Sequence, residues 1–389
     1  MLKLGYFHRY IFASETFIYD LVNALSIDPD IDLFYISGQK EIKVDFKLNI
    51  FPNGFEQKFN NIDTLLYNFG QVFGRNGSFL KYNFRNKVAK NILNKAKIPK
   101  LDVAYVEYAT KAVILMDYFT EKKIPFIVHI HGFDVTCSLI DEVYKKQLFI
   151  LFEKAFCIIV PSNHIKRLLI TLGCEPEKIK VIYPITQLNT ITPESWDERL
   201  KFKPTVTFLG RLAQKKNPIA LVHAFQLVSQ SFRDANFTII GDGPLKQEVI
   251  DRINKLNLND KILLTGALDR NEAFKYLNKS WVYAQHCVSS FSGDQEGFPV
   301  SMAEAAAHAL PMVSTIHSGI TENIIDGETG FLVQEYDFEK MAEKIIYLLK
   351  NPYIAKKMGE NGRKNILDLC ERNNRTQKIK ELMFLAANK

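Results

Sequence analysis

The sequence predicts an α/β protein made of two successive, doubly wound parallel sheets. Three observations carry this. Short apolar runs alternate with helix-period segments throughout. The runs lack polar alternation, as strands buried on both faces do. The alternation stops once, in the polar, proline-containing stretch QLNTITPESWDERLKFKP, and then restarts. The expected domains are residues 1–190 and 203–369, with a helix at about 370–389 packing back on the first. In such sheets ligands bind at the carboxyl ends of the strands, and two domains facing across a cleft is the economical arrangement.

The elements follow in order. KLGYF is a first strand, and SETFIYDLVNAL a helix with Ser14 as N-cap and Phe17, Leu21 and Leu25 on one face. IDLFYIS, LDVAYVEY, IPFIVHIH and FCIIVPS are further strands. Ser162 caps the helix NHIKRLLITL, which stops at Gly173, and KIKVIYP follows as a strand. In the second half TVTFLGRL, NFTIIGDG, KILLTGAL, WVYAQH and LPMVST are strands. Helices lie around IALVHAFQLVSQSF, EVIDRINKLN, NEAFKYLNKS and DFEKMAEKIIYLLKN. Between WVYAQH and LPMVST stands DQEGFPVSMAEAAAHALP. Pro299 suits a first helical turn and Pro311 ends the helix. Glu296 then lies in the loop before the helix and Glu304 about a turn inside it. The helix N-terminus there favours an anion. The plainer reading is an amphipathic helix with two solvated acids.

Totals bound the function. With 47% hydrophobic and 24% charged residues the chain reads as soluble and globular, and no run reaches the roughly 18 apolar residues of a membrane span. MLKLGYFHRYIF reads as neither a signal nor a transit peptide. Five scattered cysteines without C-x-x-C spacing fit a reducing cytoplasm rather than a disulfide framework or zinc site. The net charge of +7 is concentrated. From Thr64 to Leu101 there is no Asp or Glu but eight Lys or Arg, interleaved with aromatics. That stretch is either a solvated surface or a contact for anionic lipid, which would place the protein in the cytoplasm, peripheral on the inner membrane face. Nucleic acid is not an expected partner, because no nucleic-acid module signature occurs.

Residues just past the strands are the site candidates: His131 and Asp134; Gly210, Arg211, Lys216 and Asn217; Gly241, Asp242 and Gly243; the Glu296 loop; and His317, Ser318 and Gly319. Two cations, Arg211 and Lys216, facing a helix N-terminus can hold a diphosphate without a metal. Gly241 and Gly243 are read first as shaping a tight turn, Asn217 as starting a helix, and His129 as a core histidine. GDGPLK lacks the third glycine of a dinucleotide fingerprint. HIHGFD lacks evident further metal ligands, and DPDID falls in a turn. No metal and no cofactor are expected.

GRLAQKKN, GDGPL, E-G-F-P-V-x(3)-E and DGETGFLV, in that order and spacing, resemble the retaining GT-B glycosyltransferases of family 4. The resemblance is clearest over residues 205–335 and continues through HGFD and VPSNHIKRLLITLG. It is nearest to members that build bacterial exopolysaccharide, lipopolysaccharide or capsule. It implies transfer of a hexose, from a UDP-hexose above other nucleotide sugars, to a lipid-linked glycan or polysaccharide by a metal-independent front-face route. Arg211 and Lys216 would bind the donor diphosphate and stabilise the leaving charge. Glu304 would accept from the ribose hydroxyls and Glu296 from the sugar. Gly210, Gly241, Gly243, Leu268, Gly297, Phe298, Pro299 and Val300 would line the donor site. His131 would reach the transferred sugar from the other domain, with Ser14, Glu15 and Asp134 on the acceptor side. The first loop departs from the family in having Ala13 and Ser14 where a Gly-Gly pair is common, and PIT follows KIKVIY where Gly-Val-Asp is common. A GDP-mannose-dependent transferase, a nucleotide-sugar epimerase or hydrolase, and a non-catalytic membrane-associated scaffold are the alternatives.

Overall fold

The computed structural model describes residues 1–8, 15–37, 44, 48–52, 76–185 and 188–389. The chain divides into two compact units, Met1–Ile182 with Arg375–Lys389, and Tyr183–Asn374.

In the first unit the described strands are β1 (Leu2–His8), β2 (Ile31–Ser37), β3 (Asn49–Pro52), β4 (Val103–Glu107), β5 (Phe126–His129), β6 (Cys157–Val160) and β7 (Ile179–Val181). All pair in parallel, in the order β3-β2-β1-β4-β5-β6-β7. The continuous apolar runs follow from coverage of both faces. Phe7, Ile36, Ala104 and Val106 enter a core with the helices Asn76–Lys95, Ala109–Lys122 and Glu142–Lys154. Leu4, Tyr6, Leu33, Tyr35 and Tyr105 enter another, with the helix Thr16–Ser26 and the C-terminal helix.

That last helix, Arg375–Ala387, begins after Asn374 turns left-handed at φ 35° and ends the helix Pro352–Asn373. Buried Arg375 donates to the Phe17 carbonyl at 2.6 Å, and Lys380 pairs with Asp28 and Asp30 at 2.8 Å. DPDID is thus a docking point for the returning helix.

The second unit has β8 (Thr205–Leu209), β9 (Asn236–Ile240), β10 (Ile262–Gly266), β11 (Val282–Gln285), β12 (Met312–Thr315) and β13 (Gly330–Val333), parallel in the order β10-β9-β8-β11-β12-β13. The expected linker is part of this unit. Leu188, Ile191 and Trp196 are buried in it. Arg199, also fully buried, donates to the carbonyls of Ser280 at 2.6 Å and His308 at 2.9 Å, satisfying two helix ends. A polar segment without apolar period still packs when its few apolar residues and one cation meet such ends. Among the described residues, no helix is long and apolar enough to cross a membrane.

Candidate functional site

Both units place polar groups where the strand order reverses, between β1 and β4 in the first and between β8 and β11 in the second. At such a point the loops leaving adjacent strands diverge and open a crevice.

In the second unit β8 runs out at Gly210, whose N–H donates to the Ile240 carbonyl at 3.0 Å. A Cβ on Gly241, at φ 147°, would lie 1.9 Å from the Gly210 oxygen, and one on Gly243 would lie 2.5 Å from that of Leu212. These glycines let the exits of β8 and β9 close on each other, so the turn reading explains them without a ligand. Arg211 is exposed, and among the described residues no ion pair involves it. Asn217, left-handed at φ 41°, accepts from the Ala220 N–H and starts the helix Pro218–Ser231, which fixes Lys216 in the turn before it. Lys216 Nζ lies 2.8 Å from Glu296 Oε2, and both side chains are mostly buried. Burial opposes the charge on Glu296, but Lys216 outweighs it and holds the carboxyl down at about 2. The same pair raises the Lys216 ammonium against its own burial. Two charges are thus kept inside one polar pocket.

The helix after this loop is Val300–Ala307, with Pro299 as its N-cap residue rather than its first turn. It ends before Pro311, because Ala309 turns left-handed at φ 56°. Gly297, Phe298 and Pro299 are buried, and Val300 and Leu268 are half-buried. Glu304 is 5% exposed, and Arg270 Nε lies 3.0 Å from its Oε1. Sequence reasoning missed Arg270, which starts the helix Arg270–Lys279 rather than ending a strand.

In the first unit the centre is Glu107, the last residue of β4 and fully buried. Its Oε1 accepts from Tyr6 Oη at 2.5 Å. Its Oε2 lies 2.9 Å from His131 Nε2 and 3.2 Å from His129 Nδ1. Burial opposes ionisation here too, but the two imidazoles hold the carboxyl well below its usual range. His129 is pushed down to about 4 by burial and stays neutral near pH 7.

Glu107, His129 and His131 offer three ligand atoms within 4.8 Å of one another, so the carboxylate that HIHGFD lacked in sequence comes from β4. One Glu107 oxygen already faces both rings, and Tyr105 Oη lies 3.1 Å from the same His129 nitrogen. The donor set is therefore read as a hydrogen-bonded network.

Asp134 is one of the residues expected on the acceptor side. It is fully buried, and its oxygens accept from the backbone of Thr110 and His131, both at 3.0 Å. It fixes the turn that presents His131, whose side chain is 13% exposed. Glu15 lies 3.2 Å from His8 Nε2 and accepts from Tyr108 Oη at 2.6 Å. Tyr108, at φ 71°, packs against His131 with ring centres 4.5 Å apart and ring planes tilted by 42°. Ser14 lies outside the described residues. Glu107 and Tyr108 had a signal in sequence, since they end the run LDVAYVEY.

Comparison with known proteins accords with this architecture. Residues 15–189 match the family described as Glycosyltransferase Family 4, and residues 193–365 match Glycosyl transferases group 1. The two doubly wound units make the chain a GT-B protein, and it belongs to the GT-B glycosyltransferases of family 4. Among its relatives, the amylovoran biosynthesis glycosyltransferase AmsK of Erwinia amylovora is 31% identical over 56% of this chain and 53% of its own. The alignments with the first such relatives span about half of the relatives' length. The N-acetyl-alpha-D-glucosaminyl L-malate synthase of Bacillus anthracis is 23% identical over 85% of this chain and 87% of its own. The crystal structure of Anabaena HepE in complex with UDP and glucose superimposes with a TM-score of 0.72 at 16% identity, covering 98% of this chain and 99% of that one.

Proposed function

We propose that this glycosyltransferase moves a hexose from a nucleotide sugar, a UDP-hexose, to a lipid-linked glycan or polysaccharide in exopolysaccharide assembly, with retention of anomeric configuration. The observation that carries the reading is the Lys216–Glu296 pair beside exposed Arg211 at the second sheet's switch point. The two cations carry the charge of the diphosphate as the glycosidic C–O bond breaks, and Glu296 accepts from a sugar hydroxyl. Glu304, steadied by Arg270, accepts from the ribose. The departing phosphate oxygen takes the proton of the acceptor hydroxyl, so neither glutamate acts as a base. Permanent protein cations do the work a metal would otherwise do. The relatives' names support the polymer, and the UDP bound to HepE supports the nucleotide.

A thermal-shift screen against UDP-, GDP- and ADP-sugars tests this. Only ligands of the native state raise the melting temperature, by an amount equivalent to about 2.7 kcal/mol at a hundred times Kd. A UDP-sugar is expected to give the largest shift, and no shift with any member would end the reading.

The acceptor reading extends to the membrane. The helix Asn76–Lys95 exposes Phe84 and Lys87, and Lys95, Lys97 and Lys100 are exposed after them, whereas Lys90 is paired with Glu121. Residues 64–75 of the basic stretch lie outside the described residues. Binding to anionic vesicles at low salt is expected, at about 1 kcal/mol per exposed cation near the surface. Reversing Lys87, Lys95 and Lys97 to Glu should remove most of it. Equal sedimentation of wild type and variant with vesicles would refute the contact.

A further inference from the structure

His317, the second residue beyond β12, is 3% exposed and uses both ring nitrogens. Its Nε2 accepts from the backbone N–H of Glu296 at 3.2 Å. An imidazole nitrogen that accepts carries no proton, so in the neutral ring the proton sits on Nδ1. Nδ1 lies 2.6 Å from Glu335 Oε1 and donates to it. The other oxygen of Glu335 accepts from the Ser289 N–H at 3.0 Å. One carboxylate thus holds the loop that follows β11 at both ends, directly at Ser289 and through His317 at Glu296. The tie is polarised, because each bond fixes the direction of the next.

We infer that His317 is a positioning residue, held in one tautomer by Glu335, that sets the backbone of Glu296 and so the direction of its carboxylate towards Lys216. The inference rests on the donor reading above, in which Glu296 meets the sugar. A ring that merely filled space would not need its nitrogens in this order. A ring that positions the loop does, and the two amide substitutions separate these roles. In Gln the terminal carbonyl oxygen falls near the place of Nε2. In Asn the amide nitrogen falls near that of Nδ1.

The experiment compares His317→Gln, His317→Asn and His317→Ala in the full chain. Amide exchange of the segment 289–297 is followed by mass spectrometry without any ligand, and Kd for UDP-glucose by calorimetry. His317→Gln keeps an acceptor for the Glu296 N–H and should exchange and bind nearly as wild type does. His317→Asn and His317→Ala lose it, and should exchange faster and bind about tenfold more weakly, the scale of one buried hydrogen bond. Asn and Gln behaving alike in exchange would overturn the inference, as would wild-type exchange in the alanine variant. If the wild type binds no UDP-glucose, the donor reading loses support while the exchange data still decide the role of His317.

Discussion

Glu296→Ala is expected to abolish sugar transfer, lowering kcat/KM by about two to three orders of magnitude, the usual scale for removing one preorganised electrostatic group from an active site. The cause is the pair rather than the residue. Lys216 is mostly buried, and Glu296 at 2.8 Å is its counter-charge. Without the carboxylate the ammonium is desolvated and unpaired, which for buried pairs costs about 3 kcal/mol or more. In a unit of the size of Tyr183–Asn374, each kcal/mol lowers the melting temperature by roughly 2–4 °C. Glu296→Gln keeps the volume and a hydroxyl acceptor but loses the charge, so it should fall between alanine and wild type. Adding Lys216→Ala to Glu296→Ala should recover stability without recovering transfer, because the unpaired charge is gone but so is the proposed diphosphate contact. Transfer from the preferred donor and thermal melts of the four proteins check this. A Glu296→Ala variant with kcat/KM within twofold of wild type would sink it.

Much of the second unit was legible because its site follows one rule. Gly210, Arg211 and Lys216 follow β8, Gly241 and Gly243 follow β9, and Glu296 follows β11. A strand is read from its apolar run, and its exit is then a fixed position. The first unit obeyed the rule less visibly. Glu107 is the last residue of its strand, inside the run LDVAYVEY, so it reads as strand rather than as exit, and His8, just past the run KLGYF, is the last residue of β1. That Tyr6, His129 and His131 meet at Glu107 depends on the register of three strands, which no local pattern encodes.

The helix Ala109–Lys122 escaped for another reason. Ala112, Val113, Ile114, Leu115, Met116, Tyr118 and Phe119 are all buried, so its polar stripe, Thr110, Asp117 and Glu121, is narrow and is broken by Ile114. The linker reading of residues 187–204 failed because Arg199 looks polar in sequence. In the fold it is a buried cap for carbonyls brought from 81 and 109 residues away.

Acid should unfold the protein in two stages, the first of them set by histidines. His129 and His286 are held down to about 4 by burial, and His308 to about 3 by burial together with Arg199, Arg363 and Arg270. At His286 a ring nitrogen accepts, which only the neutral form can do. His286 Nε2 accepts from the Tyr336 N–H at 2.9 Å, and His308 Nδ1 lies 2.8 Å from Asn278 Oδ1. An unfolded imidazole binds its proton near 6.5. Between that value and about 4 the unfolded chain therefore holds more protons than the folded one, and stability falls as the pH falls. At about 1.4 kcal/mol per pKa unit, each histidine removes on the order of 3 kcal/mol across this window.

The carboxylates act lower. Glu296 titrates at about 2 when folded against an ordinary 4.5, so its contribution is complete above 4.5 and disappears as the pH drops through 2. Glu107 shifts in the same direction. Urea unfolding at pH 7, 5.5 and 4.5 should show the histidine stage alone, before the carboxylates take part. His308→Asn, which retains a donor towards Asn278, should reduce the slope of stability against pH by about one proton in the lower part of that range. Stability independent of pH from 7 to 4.5 would mean that these imidazoles titrate in the folded protein as they do in the unfolded chain, and the burial of His129, His286 and His308 in neutral form would have to be abandoned.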